Sequence, residues 1–336
     1  MSTTQAPAAS LYPDRSTTLI VAGIFEILLG CLCALLAAMM IAITLLGPMA
    51  QPPQGHAMNP AALVQVTVFY GLLAVAFIWV GIGLVRARRW AWTLTIVCSW
   101  MWLIIGAVSF VAFICFMGGG TWAAVAEQGK MQPELAKTMQ IMMTAVMACI
   151  YLLLPAAFLV LCHHESVRAT CRRRDPQISW TDRCPMPVLA LSLMLAFSVM
   201  SMSSLGAYRW TMPLLGVFIT GAAGAVVILL IALALAYLAW GTYRLQRIAW
   251  WGTLLIGIVG TVNMVVTFSR TDLIQMYEKM GMPADQIELI RKMGMVEMMS
   301  RWGPWLGLAG GVGWLGYLLF LRRYFVHRGA TPIVTS

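Results

Sequence analysis

Charge is what this chain has least of. Asp, Glu, Lys and Arg make up 10% of its 336 residues, against roughly 25% in soluble domains, while apolar residues make up 61%. A soluble core of this length cannot hide so much apolar surface, so the solvent must be lipid. Catalytic signatures are missing too: there is no HExxH, no GxSxG, no CxxC, and no GxxxxGK followed by Ser or Thr. Metal-activated water, an elbow nucleophile, a redox dithiol and a phosphate cradle therefore all lack their marker. That lowers the odds of an enzyme without excluding one, since intramembrane sites can be assembled from residues scattered over many spans.

Long apolar runs are what the chain has instead. Spans are expected near residues 19–46, 61–85, 90–117, 141–162, 186–205, 214–239, 248–268 and 303–321, each reaching or approaching the roughly 20 residues a helix needs to cross a ~30 Å hydrocarbon layer. The first run is longer than the core of a cleavable signal, so it reads as a retained signal anchor. With eight spans both termini share a side. The N-tail and the turns on its side hold 14 of the 22 basic residues and 4 acidic ones, while the opposite side holds 8 basic and 7 acidic. By the positive-inside rule both termini are cytoplasmic, and the basic balance needs no nucleic-acid partner to explain it. Cysteines agree: Cys31, Cys33, Cys98, Cys115 and Cys149 fall in spans, Cys162, Cys171 and Cys184 in or beside an inner linker, and none in the outer loops where disulfides form.

The decapeptide Gly83-Leu84-Val85-Arg86-Ala87-Arg88-Arg89-Trp90-Ala91-Trp92 recurs 158 positions later as Gly241-Thr242-Tyr243-Arg244-Leu245-Gln246-Arg247-Ile248-Ala249-Trp250. The shared pattern is GxxRxxRxAW, each copy in a short turn between apolar runs and each surrounded by four spans. The expected fold is an all-α polytopic transmembrane helical bundle of eight spans, as two parallel four-helix repeats (4+4). Its parts are a cytoplasmic tail over 1–16, a first repeat over 17–163 with an exoplasmic cap at 118–140, a basic linker over 164–184, a second repeat over 185–324 with a cap at 269–302, and a tail over 325–336. Arg172, Arg173 and Arg174 in the linker are expected to form a solvated strip facing lipid headgroups. In the caps, Pro133-Glu134 and Pro283 with Asp285 resemble helix starts. Leu273, Met276, Tyr277 and Met280 form an amphipathic stripe.

Few residues stand out as sites. Glu26 is the one acid inside a span, about 10 Å in from Leu19 at 1.5 Å per residue. A carboxylate there costs a few kcal/mol, so it is expected to be protonated or hydrogen-bonded. Proton coupling or substrate contact is one reading and a packing hydrogen bond the other; Asn263, Gln65 and Tyr70 are the candidate neutral partners. Arg86, Arg89, Arg244 and Arg247 in the turns are expected to serve topology, with Trp92 and Trp250 as interface anchors. The minority reading is a paired anionic-lipid or phosphate site. The thioethers of Met280, Met282, Met293 and Met295 are of a kind that suits Cu(I); the favoured reading is an adaptable apolar surface, with no metal and no cofactor. Cys162, His163, His164 and Cys171 match no zinc spacing. Gly311-Val312-Gly313-Trp314-Leu315-Gly316 fits GxGxxG, but no strand precedes it and no βαβ unit follows. Gly303, Gly307 and Gly311 instead allow a close helix approach, and Gly252, Gly257 and Gly260 are candidates for the same.

Two function classes follow. The preferred one is a non-enzymatic membrane binding or accessory protein whose exoplasmic caps meet a protein partner, a lipid or a small ligand. The alternative is a small-solute or proton-coupled transporter with Glu26 at the repeat interface. Gly-rich spans, basic-aromatic inner turns and a lone first-span Glu are widespread among small bacterial membrane proteins and identify no family; the expected location is a plasma membrane, the bacterial inner membrane.

Overall fold

The computed structural model describes residues 13–50, 60–116, 132–292 and 294–326. Helices dominate it: α1 (Ser16–Ala50), α2 (Pro60–Val85), α3 (Arg89–Phe116), α4 (Pro133–Ala148), α5 (Leu154–Cys162), α6 (Glu165–Arg174), α7 (Met186–Met202), α8 (Gly221–Tyr243), α9 (Arg247–Arg270), α10 (Leu273–Lys279), α11 (Ala284–Lys292) and α12 (Met295–Val326). Among the described residues, seven helical segments are long and apolar enough to cross a membrane, counting α4 and α5 as one through the π-turn Cys149–Leu153. The stretch expected as the fifth span forms α7, an apolar helix of 17 residues, about 25 Å long at 1.5 Å per residue and at the short end of the spanning range. The outer surfaces of the long helices are apolar; Val160 is 77% exposed and Leu45 70%. Such surface is stable only against lipid.

The chain divides into two compact units, residues 1–107 with 149–186 and residues 108–148 with 187–336. In the first, α1 and α2 pack antiparallel through small residues. A Cβ added to Gly23 would lie 2.7 Å from the Gly81 carbonyl oxygen, and one added to Gly81 would lie 2.7 Å from that of Gly23. Gly30 meets Ala74 and Ile78 in the same register. The first turns of α3 pack into the core, with Ala91, Thr93, Leu94, Thr95, Ile96 and Val97 all buried, while most of the helix beyond Ser99 is exposed or half-buried. Pro155 has no N–H to give the Tyr151 carbonyl four residues earlier, which accounts for the π-turn there. The freed carbonyl lies against Gly106 of α3, where a Cβ would collide with it.

Residues 164–184 do more than connect. His164 caps α6 by accepting from the Ser166 N–H at Nδ1 (3.2 Å), and the helix buries Val167, Thr170 and Cys171 while leaving Arg172, Arg173 and Arg174 exposed. A 3-10 turn, Trp180–Arg183, follows, with Ser179 and Asp182 closing a capping box.

In the second unit the expected glycine approach is present. Gly303 faces Phe268, Gly307 faces Met264 and Gly311 faces Thr261, all on α9. Gly257 meets Trp314 and Gly252 meets Leu238, whereas nothing lies within 4 Å of a Cβ on Gly260. The connection between α7 and α8 is longer than expected, because residues 214–219, read as the start of the sixth span, instead belong to an antiparallel hairpin of β1 (Met212–Leu214) and β2 (Val217–Ile219). Its loop residues Leu215 and Gly216 both have positive φ (50° and 88°), as a two-residue type I′ turn requires. α4 opens at Pro133 with Glu134 in its first turn, as expected. In α10, Leu273 is buried and Met276, Tyr277 and Met280 are partly buried, while Gln275, Glu278 and Lys279 are exposed, so the amphipathic stripe faces inward.

Candidate functional site

The repeated decapeptide builds the same turn twice. In the first copy Arg88 N–H donates to the Gly83 carbonyl (2.9 Å) and Ala87 N–H to that of Leu84 (2.8 Å). In the second, Gln246 N–H donates to Gly241 (2.9 Å) and Leu245 N–H to Thr242 (2.9 Å). This is a Schellman closure around a left-handed residue, Ala87 at φ 52° and Leu245 at φ 57°. The motif glycine lies under the motif alanine: a Cβ on Gly83 would be 2.5 Å from Ala91 Cβ, and one on Gly241 would be 2.6 Å from Ala249 Cβ.

The motif tryptophans are not interface anchors. Trp92 and Trp250 are 8% and 5% exposed, and each indole N–H is spent on a helix carbonyl, Trp92 on Cys162 (2.8 Å) and Trp250 on Leu318 (3.0 Å). The second motif arginine also bonds within the chain, half-buried in the first copy and exposed in the second. Arg89 Nη1 donates to the Gln177 carbonyl (3.4 Å) and Nη2 pairs with Asp182 (3.5 Å), while Arg247 donates to the carbonyls of Phe325 (3.3 Å) and Val326 (3.1 Å). Arg244 packs over the Trp240 ring at 5.4 Å, and Arg86 is exposed. Arg89 and Arg247 thus fasten the start of one helix to the chain around the end of another.

Glu26 is sealed in the first unit, 5% exposed, and Thr95 Oγ1 donates to its Oε1 at 2.8 Å. Its Oε2 has no hydrogen-bond partner among the described residues. None of the three expected partners reaches it. The α1–α2 register sets Glu26 level with residues near 80, so Tyr70 and Gln65 lie about 15 and 22 Å further along α2. Asn263 belongs to the second unit, where it latches the hairpin: Oδ1 accepts from Leu215 N–H (2.6 Å) and Nδ2 donates to the Pro213 carbonyl (3.1 Å). Thr95 was the overlooked partner. Its signal, three small hydroxyls at Thr93, Thr95 and Ser99 in one apolar run, is weak because a threonine commonly satisfies itself on its own helix, as Thr93 does on Arg89.

The basic end of the first unit gathers more charge than any other place described. Asp175, 6% exposed, accepts from Arg89 N–H (3.2 Å) and pairs with Arg88 (3.5 Å). Arg15 N–H donates to Thr170 (3.1 Å), and Arg174 pairs with Asp14 (3.2 Å). The N-terminal segment, the 86–89 turn and the linker therefore share one end. Between α3, α6 and the 3-10 turn lies a pocket of about 40 Å³ lined by Arg89, Trp92, Arg168, Cys171, Arg172, Asp182 and Met186. Cys171 is buried there; burial, with the Cys162 thiol and the Asp175 carboxylate nearby, pushes its thiol up to about 12.

The second cap turns its methionines inward. Met280, Met282 and Met295 are partly buried, as are Met298 and Met299, and the Tyr277 hydroxyl donates to Met299 sulfur at 3.6 Å. Met293 lies outside the described residues. The charged residues Glu278, Lys279, Asp285, Glu288, Arg291, Lys292 and Glu297 are exposed. Arg209, from the α7–α8 connection, lies over Gly281 (φ 79°), where a Cβ would be 2.5 Å from its Nε, and Lys279 Nζ sits 4.8 Å above the Phe218 ring. Among the described residues no group of three or more His, Cys, Asp and Glu is placed to hold a metal ion.

Seven membrane-competent helices with apolar outer faces define the class: this is a multi-pass α-helical membrane protein in contact with lipid. No family model matches the sequence, and no curated protein or solved structure matches it.

Proposed function

We propose that the protein is a non-enzymatic membrane binding or accessory protein of the bacterial inner membrane, built as two parallel four-span repeats with both termini cytoplasmic. The 269–302 cap is the surface that meets a protein partner. The observation that carries this reading is the cap's division of faces, methionines inward and seven charged side chains outward. A folded, solvated helical surface of this kind suits recognition. The matching Schellman turns and indole locks support the duplication, with α7 as the fifth span, and the 14 basic residues on one side support the orientation.

The test replaces Glu288 by Lys and Arg291 by Glu on the exposed face of α11 and measures complex size after mild solubilisation of native membranes. Wild type is expected in a species larger than the detergent-bound protomer, and the variant is expected to lose it while still inserting. Equal sizes for the two proteins would overturn the reading.

One observation favours a second reading, proton-linked transport: the buried, unpartnered Oε2 of Glu26. Reconstituted vesicles with an internal pH dye separate the two. A transporter of that kind dissipates an imposed pH gradient and Glu26→Gln abolishes the flux, whereas the binding protein leaves the gradient intact.

A further inference from the structure

We propose that the pocket at the basic end of the first unit is a phosphate-binding site, in which Arg168 and Arg172 of α6 and Arg89 of α3 hold the oxyanion of a lipid headgroup or of a free phosphate. The inference is independent of what the cap binds.

Charge balance comes first. The lining holds three guanidinium groups and one carboxylate, a net charge of +2. The carboxylate is already engaged: Asp182 Oδ2 accepts from Ser179 N–H (3.0 Å) and Ser179 Oγ (3.1 Å) and pairs with Arg89. Arg168 and Arg172 have no carboxylate within ion-pair distance among the described residues. They stand four residues apart on one helix, so their side chains share a face, an arrangement that is unfavourable for like charges unless an anion lies between them. Desolvation first, then the neighbouring Arg168 and Arg89 charges, depress the Arg172 guanidinium below its ordinary value, with Asp182 opposing them in part.

Geometry and size agree. The Arg168 guanidinium is positioned over the buried Trp92 ring at 5.9 Å. Arg89 is held at the start of α3 by Asp182 and the Gln177 carbonyl. Two of the three forks are thus oriented before any ligand arrives, and planar forks suit phosphate oxygens. The volume, about 40 Å³, equals roughly three water-sized positions. It accepts one phosphate group and is too small for a nucleotide. Because the pocket shares its end with the 86–89 turn and the N-terminal segment, it opens at the level where headgroups lie if that end faces the cytoplasm.

Two arms separate the sources. Full-length protein in a neutral detergent is titrated with inorganic phosphate at ionic strength held constant with chloride, and thermal unfolding is recorded. The same protein in nanodiscs of phosphatidylcholine alone is compared with nanodiscs containing phosphatidylglycerol. Stabilisation by phosphatidylglycerol alone assigns a headgroup, stabilisation by inorganic phosphate alone assigns a soluble phosphate, and both support the shared chemistry.

In the responding arm, Arg168→Gln with Arg172→Gln is expected to weaken binding about thirtyfold, equivalent to about 2 kcal/mol for two basic side chains. Arg183→Gln, a linker arginine outside the lining, is expected to bind as wild type. If the double variant is not monodisperse, Arg172→Gln alone is read, with an expected loss of about fivefold. Absence of stabilisation in both arms would overturn the proposal. So would an undiminished response in the Gln variants, or an equal loss in Arg183→Gln, which would mark the effect as diffuse charge.

Discussion

Replacing Trp92 by phenylalanine keeps a buried aromatic ring and deletes one hydrogen bond, the 2.8 Å donation from Nε1 to the Cys162 carbonyl. Cys162 ends α5, so its carbonyl belongs to the last turn and has no intrahelical donor. Removing the indole leaves that buried acceptor unpaired, which costs about 1–3 kcal/mol. The smaller ring adds a cavity cost of about 1 kcal/mol. Trp250→Phe differs in one respect: Leu318 lies inside α12, where its carbonyl also accepts from the helix, so the loss there is nearer 1–2 kcal/mol. Trp251 is the control. It follows Trp250 in sequence but is 62% exposed, and Trp251→Phe is expected to cost under about 0.5 kcal/mol. Thermal unfolding in detergent, followed by the monodisperse fraction surviving each temperature, ranks the three variants. The expected order of damage is Trp92, then Trp250, then Trp251. Equal loss for Trp92→Phe and Trp251→Phe would show the motif tryptophan to be an interface anchor after all, and the internal lock would be refuted.

Two further expectations follow from the same turns and the segment packed on them. Gly83→Ala and Gly241→Ala each drive a new methyl against the Ala91 or Ala249 side chain at 2.5 and 2.6 Å, and each is expected to cost about 1–3 kcal/mol by overpacking. Gly260→Ala, with open space around the new Cβ, is expected to be neutral or slightly stabilising; a harmless Gly83→Ala in the same heat-survival measurement would count against the close approach. Because burial raises the Cys171 thiol to about 12, only about one molecule in ten thousand carries the thiolate at pH 8. Iodoacetamide at that pH is expected to spare Cys171 in the folded protein and to modify it after denaturation, as read by peptide mass spectrometry. Native-state alkylation at the rate of an unhindered cysteine would contradict its burial.

What was legible in the sequence was whatever a single helix reports about itself. The long apolar runs, the Pro133-Glu134 helix start, the inward stripe of α10 and the Gly303, Gly307 and Gly311 approach are set by periodicity and local chemistry. Features set by register between helices were not. The partner of Glu26 follows from how α1 meets α3, and a lone threonine gives no sign of facing an acid. Asn263 looked like an intramembrane polar candidate because nothing in α9 announces the hairpin that it holds. The hairpin itself comprises two three-residue strands, too short to show alternation, and its turn uses leucine at a positive φ, where asparagine or aspartate is the usual signal.

The turn motif shows how a sequence pattern that recurs can be plain while the work of its residues is not. Basic turn residues followed by tryptophan are what the membrane interface selects, so topology alone accounted for GxxRxxRxAW. It did not account for the glycine and the alanine, which have no part in topology. The structure gives all four a single purpose. Glycine admits the alanine of the next helix, the left-handed residue reverses the chain, tryptophan reaches the carbonyl of a third helix, and the second arginine holds a further segment, the linker beyond α6 in the first copy and the end of α12 in the second. A motif committed in this way to internal contacts leaves little of itself for a ligand. In the first unit the pocket sets Arg89 of the lock beside Arg168 and Arg172, which repeat in no pattern and come together with it only where α6 is folded against α3.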